Sequence, residues 1–371
     1  VYMGGLWTEN NAPKSNNFMF GRQPQSGEAF TLFVKSLIFE DIDFDCPLAE
    51  FFNGGVNGTG NYFINMYSNG MGINVTLLEW NNCTFQGLIR GFFRIQGSND
   101  FYIHNLKMID CSHYNSGFYD NNGGGYNYIH ADHGKKPKSN ILENVEISGN
   151  VFYDSPKGSL ITDSNRNLKW DASVRWNLNI HHNTFVNFMT RSTKAAWMNT
   201  RYIPGGSEAS IHDNIWINTK DADDVNRAMN ALGWDARNIQ GGDGSGKVVF
   251  NIYNNWTTND PYLKGGQPFN NNAFNATSNS PGKWQKTWKD ELDTYYPAGL
   301  DELKVHCDPE LKATDLMVSP NPQHFVGAKP SHLDHHTDKG IDGLYYQQTE
   351  KVLNSAIYKS GAGAPRLRNG K

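Results

Sequence analysis

The chain has no run of about 18 apolar residues, the length a membrane-spanning helix requires, so none is expected. It is poor in cysteine. Cys46, Cys83, Cys111 and Cys307 are widely spaced and form no C-x-x-C pair, which argues against a zinc ribbon or a disulfide framework and leaves buried free thiols as the expectation. It carries no excess of positive charge: 33 Lys and Arg stand against 37 Asp and Glu, so a broad cationic field for nucleic acid is missing. It also opens on Val1-Tyr2-Met3-Gly4-Gly5, without an initiator Met or a signal sequence. That start reads as a processed chain or a fragment of a longer one, with no obvious cap.

What the chain has in quantity is asparagine, 45 of 371 residues, beside 37 glycines and 13% aromatics. Asn and Gly favour turns over helices, so an all-β protein with many tight turns is expected. Apolar content of 38% with the glycines added lies near the globular norm and excludes general disorder.

One phrase recurs: an apolar residue, two polar positions, then Asn, Cys or an aliphatic, any residue, and a large residue. It is read at Phe39 to Phe44, Trp80 to Phe85 and Ile103 to Met108, and with Asn in fourth place at Ile147 to Phe152, Ile180 to Phe185, Ile211 to Trp216 and Ile252 to Thr257. Between copies lies a second short apolar strand. Its central residues Ile64, Ile95, Ile129, Ile161, Met198 and Ala231 are separated by 31, 34, 32, 37 and 33 positions. Two short β phrases at a near-constant period are the mark of stacked β coils, because each coil buries its inner face only against its neighbours. Hairpin spacing for a sandwich and four strands per blade for a propeller are both missing. The fold expected is all-β, a right-handed parallel β-helix of about seven coils over residues 1–260. Residues 261–371 are expected to form a loop, a short helix at Lys283 to Tyr296, and an irregular C-terminal cap packed on the β-helix. Asn150, Asn183, Asn214 and Asn255 should form an amide ladder, with Phe85, Phe152, Phe185 and Trp216 stacked beside it.

With Ile95, Ile129, Ile161 and Met198 taken as inward, the flanking positions are Arg94 and Gln96, Tyr128 and His130, Leu160 and Thr162, and Trp197 and Asn199; Asp132, Asp163 and Arg201 lie one step beyond. Aromatic platforms beside charged donors suit a carbohydrate chain, whose rings stack and whose hydroxyls and carboxylates take directed hydrogen bonds. Tyr128, Asp163, Trp197, Asn199 and Gln96 are therefore candidate substrate contacts. Proton abstraction beside a uronate carboxylate needs a base, a cation and a donor for the leaving oxygen; His130, His133, Lys135, Arg94 and Arg201 are candidates for those roles. Asp221, Asp223 and Asp224 offer three carboxylates in four residues, and calcium is the ion such a turn would take. The run His332-Leu333-Asp334-His335-His336 lacks the spacing of a zinc-protease helix. Hydrolysis would use paired Asp residues on adjacent coils, and the pair Asp223-Asp224 falls in a turn, so elimination ranks above it.

The phrases Val145 to Phe152, Leu178 to Phe185 and Ser210 to Trp216 resemble the pectate-lyase superfamily of β-helices and, more narrowly, secreted β-helix lipoproteins of Bacteroidetes polysaccharide-utilisation loci. The resemblance covers roughly residues 33 to 260. It implies secretion, a cell-surface or periplasmic site, an acidic polysaccharide or oligosaccharide as ligand, and outer-membrane glycan-import components as partners. No R-x-P-x-x-R or W-I-D-H signature is present, so that family's arginine base maps onto no position here. A polysaccharide lyase acting by β-elimination is the favoured expectation. The alternatives are a non-catalytic surface glycan-binding protein and a structural or adhesive β-helix.

Overall fold

The computed structural model describes residues 2–3, 18–21, 30–45, 62–68, 71–86, 91–97, 101–114, 126–132, 141–153, 158–163, 173–186, 198–200, 204–217, 249–258, 305–308, 310–318 and 345–368. Strands dominate and arrive in triplets: Phe18–Gly21, Phe30–Glu40 and Asp43–Asp45; Tyr62–Ser68, Met71–Asn81 and Thr84–Gln86; Gly91–Gly97, Phe101–Ile109 and Ser112–Tyr114; Tyr126–Asp132, Ile141–Ser148 and Val151–Tyr153; Gly158–Asp163, Asn177–His181 and Thr184–Val186; Met198–Thr200, Glu208–His212 and Ile215–Ile217. The first members of the triplets share one sheet, the second members another and the third members a third, so the chain visits the three sheets in rotation. Val249–Tyr253 extends the second sheet, and Asn255–Thr258 and Val305–Asp308 extend the third. Successive triplets pair in parallel throughout; Tyr2–Met3 joins the first sheet antiparallel. The protein is thus all-β with mostly parallel strands, compatible with a β-helix. The described helices are short, such as Glu350–Asn354 and Ala356–Lys359. None among the described residues is long and apolar enough to cross a membrane.

Three strands per repeat replace the expected two because the recurring phrase is itself bent. Asp41, Asn82, Asp110, His182, Asp213 and Asn254 have φ between 48° and 54°, and Gly149 has φ 70°. Only Asn, Asp, His and Gly enter that left-handed region readily, which explains the residue types at this place. At Gly149 a second cause operates, since a Cβ there would collide with the Asp110 carboxylate of the preceding triplet. The bend also corrects one copy of the phrase. Ile103 to Met108 lies wholly inside the strand Phe101–Ile109, and the true counterpart is Met108 to His113, bent at Asp110.

The residue after each bend builds the ladder that the sequence led us to expect. Asn150 Nδ2 donates to Asn183 Oδ1 at 2.9 Å, Asn183 Nδ2 to Asn214 Oδ1 at 3.0 Å, and Asn214 Nδ2 to Asn255 Oδ1 at 3.0 Å. Each amide also reaches a strand carbonyl, as Asn183 does with Ile147 at 2.8 Å. All four side chains are fully buried, where unmade hydrogen bonds are costly. Cys83 and Cys111 occupy the same place in earlier triplets and are buried free thiols. A hydrogen bond with the Cys111 thiol draws the Cys83 thiol down to about 7, while burial pushes that of Cys111 up.

Beside the ladder runs a stack of rings: Phe44 on Phe85 at 4.9 Å, Phe85 on His113 at 4.8 Å, His113 on Phe152 at 4.8 Å, Phe152 on Phe185 at 4.9 Å, and Phe185 on Trp216 at 5.3 Å. These separations match the spacing between neighbouring strands. His113 is the member that sequence reasoning missed. From the second sheet, Leu78, Leu106, Val145, Leu178 and Ala209 form one buried column in register.

The opposite face of the third sheet is covered by the described part of the C-terminal region. Val151, Tyr153, Val186, Ile215 and Ile217 share a core with Leu316, Tyr346, Val352, Ile357, Ala364 and Leu367. Polar bonds set its position: Thr184 Oγ1 lies 2.7 Å from the Tyr346 hydroxyl and accepts from Ala364 N at 2.9 Å, and Arg366 donates to the carbonyls of Asp110 and Cys111. This segment therefore lies along the side of the stack. The expected helix at Lys283 to Tyr296 and the loop before it lie outside the described residues.

Candidate functional site

In the first sheet, Asn65, Arg94, His130, Thr162 and Asn199 occupy one register position on consecutive strands. Tyr67, Gln96 and Asp132 occupy another, two residues along. Two expectations need correction. Phe93, not Ile95, is in line with Ile64, Ile129, Ile161 and Met198, because strand alternation repeats every two residues and two apolar candidates on one face are equivalent by pattern. Asp163 accordingly pairs with Ala131, which pairs with Ile95, one position away from the Arg94 series. Leu160, expected at a flanking outward position, is as fully buried as Ile161. Tyr128 lies beside Ile129 and, by the pairs around it, faces Leu160 in register. His133, Lys135, Arg201, Trp197, Asp221, Asp223 and Asp224 lie outside the described residues, as do His332, His335 and His336.

The outward positions of the second sheet carry polar columns with explicit geometry. Asn177 Nδ2 donates to Asn144 Oδ1 at 3.0 Å, and Asn144 Nδ2 donates to the carbonyl of His104 at 3.0 Å and to Asn105 Oδ1 at 3.3 Å. In the next column Asn179 Nδ2 donates to Glu146 Oε2 at 2.7 Å. These columns line an open groove of about 530 Å³, to which Lys107, Glu208 and Ser210 also contribute. At its rim the Tyr102 hydroxyl donates to Glu143 Oε2 at 2.9 Å, and His104 Nδ1 lies 3.0 Å from the same oxygen. Burial, with help from Glu143, pushes the Tyr102 hydroxyl up to about 12.

At the end of that sheet, beside the bends, three histidine rings and two carboxylates meet. His181 Nε2 lies 2.6 Å from Glu146 Oε1, and its Nδ1 lies 2.8 Å from His182 Nδ1. His212 Nδ1 lies 2.6 Å from Asp213 Oδ2. His181 stacks flat on His212 at 4.9 Å, and His212 on Tyr253 at 4.5 Å. Burial holds His182 below the usual histidine range. One ligand atom each from His182, His212 and Asp213 lie within 4.8 Å of one another, so these residues could hold a metal ion.

Models of known protein families, curated proteins and solved structures yield no match to this chain. Any functional reading therefore stands on its residues and their arrangement. Sequence reasoning missed the His181 to Asp213 group because those residues sit inside the coil phrase. The available signal was histidine at the same phrase position, His181 and His212, in consecutive copies.

Proposed function

We propose that the three sheets wind as a right-handed parallel β-helix of about seven coils, of the pectate-lyase type, and that the protein cleaves an acidic polysaccharide by β-elimination. The observation that carries this reading is the pairing of Arg94 with His130 on adjacent strands, in line with Thr162 and Asn199. The register sets a residue type able to neutralise a uronate carboxylate beside one able to take the neighbouring proton, on strands about 4.8 Å apart. Thr162 and Asn199 extend the row with hydroxyl and amide groups suited to sugar hydroxyls.

A second reading is a non-catalytic glycan-binding protein of a polysaccharide-utilisation system. The groove on the second sheet favours it, since the Asn105, Asn144 and Asn177 amides form a row of the kind that holds a sugar chain without chemistry. Either reading implies a secreted or surface-attached protein, at the outer membrane or in the periplasm, working with glycan-import components. Were calcium bound, Asp221, Asp223 and Asp224 would supply its oxygen ligands, and the lyase reading would gain a positive charge.

Incubation with a panel of uronate polysaccharides, followed by ultraviolet absorbance of the unsaturated sugar end that elimination creates, tests the proposal. A rise on one polymer supports the lyase. Retention of a polymer with no rise on any of them overturns it in favour of the binding protein.

A further inference from the structure

His182 and Asp213 occupy the left-handed bend of consecutive triplets, with φ 54° each, and His212 precedes Asp213. The other bends carry Asp41, Asn82, Asp110, Gly149 and Asn254. Those residues suit the conformation well, and the short side chains of several bridge one bend to the next: Asn82 Nδ2 donates to Asp41 Oδ1 at 2.7 Å, and Asn254 Nδ2 donates to Asp213 Oδ1. Histidine is the one ring placed in this series. Its setting against a second histidine and a carboxylate points to a use other than turning the chain.

We propose that His182, His212 and Asp213 form a binding site for a divalent transition metal ion of the zinc type, which would join two consecutive turns of the chain at their bends. The three ligand atoms already lie within 4.8 Å of one another. Bonds of about 2.0–2.2 Å to a shared ion require donors somewhat closer than that. Two imidazoles and one carboxylate suit zinc, cobalt or nickel better than calcium, which prefers oxygen donors alone. His212 and Asp213 keep side-chain exposures of 15% and 17%, enough for an ion to enter and for water to complete the coordination.

The surroundings orient the donors. A carboxylate only accepts, so the proton between Glu146 and His181 sits on His181 Nε2. With that ring neutral, His181 Nδ1 accepts from His182 Nδ1, and His182 Nε2 presents its lone pair. A carboxylate–histidine relay behind a ligand histidine is the usual means of fixing its tautomer and ring plane. The Arg368 guanidinium opposes a cation here, but it is committed to the Tyr358 and Ala362 carbonyls and lies over the Tyr358 ring. The Asp213 carboxylate acts in the opposite direction.

The test uses the full chain, stripped with chelator and titrated with zinc by calorimetry and with cobalt by visible absorption. Wild type should take up one equivalent, with the intense cobalt bands of a low-coordinate nitrogen and oxygen site. His182→Asn should keep the fold, because Asn82 and Asn254 hold the same bend, and His212→Tyr should keep the ring stack, because Tyr253 occupies that place in the next triplet. Each should weaken binding at least tenfold, about the minimum loss that even outer partners cause. His335→Ala with His336→Ala should leave affinity unchanged. No uptake by wild type, or uptake that survives both His182→Asn and His212→Tyr, overturns the proposal. Circular dichroism of the apo variants separates loss of ligand from loss of fold, and Asp213→Asn, which retains the shape and an oxygen acceptor, provides the check if either ring variant misfolds.

Discussion

The Asn183 side chain accepts from Asn150 at 2.9 Å and donates to Asn214 at 3.0 Å, so one amide joins three successive turns of the chain. It also donates to the carbonyls of Ile147 and His181. Replacement by Ala leaves buried donors and acceptors on both sides without partners, at about 1–3 kcal/mol for each such group. Asn183→Ala should therefore lower the unfolding free energy by about 3 kcal/mol or more. Urea unfolding measures it, and a loss below about 1 kcal/mol would mean that the ladder is not structural.

His113 is fully buried between Phe85 and Phe152, and burial holds its pKa well below the ordinary 6.5, with the nearby Arg366 charge acting in the same direction. The unfolded chain then binds a proton that the folded chain refuses. Stability from this group is complete above pH 6.5 and is lost as pH falls from there towards the depressed folded-state value. The slope for one proton is about 1.4 kcal/mol per pH unit. His182, also held low, adds to the slope with the same sign, so the informative quantity is the difference between wild type and His113→Phe. That variant continues the ring stack and should unfold less readily in acid; identical slopes would refute the argument.

Gly363 has φ 84°, and a Cβ there would meet the Tyr346 hydroxyl, Ile215 Cδ1 at 2.8 Å and Thr184 Oγ1 at 3.0 Å. Its amide donates to the Asp213 carbonyl at 2.8 Å. Gly363→Ala should loosen the C-terminal segment from the third sheet at a cost of about 1–3 kcal/mol. The expected result is faster cleavage by protease near residues 345–368 and a lower melting temperature. Unchanged proteolysis would show that the segment is anchored elsewhere.

For the proposed elimination, His130→Ala should lower kcat by about a hundredfold or more if His130 is the base. Arg94→Ala should act chiefly on a substrate carrying carboxylates, and much less on a polymer whose carboxyl groups are esterified. Equal effects on both polymers would remove Arg94 from carboxylate recognition. Full activity in His130→Ala would leave the lyase reading standing with a different base.

The parts of this protein legible in the sequence are those that local chemistry repeats. Asn150, Asn183, Asn214 and Asn255 announced the ladder, and Phe85, Phe152, Phe185 and Trp216 announced the stack, because a buried position that recurs in every turn demands the same residue type each time. The third triplet hid the same plan, since His113 fills the place of Phe and so disguised the bend at Asp110. Register was the first thing that only the tertiary structure decided. A period of two makes Phe93 and Ile95 interchangeable in pattern, and only hydrogen bonding to neighbouring strands chooses between them. The joining of His182 to His212 and Asp213, and of the C-terminal residues to Thr184 and Asp110, was decided there too. Such contacts depend on which side chains meet outside the ladder and where the chain returns, and no repeat period encodes the 180-residue separation of Thr184 from Ala364.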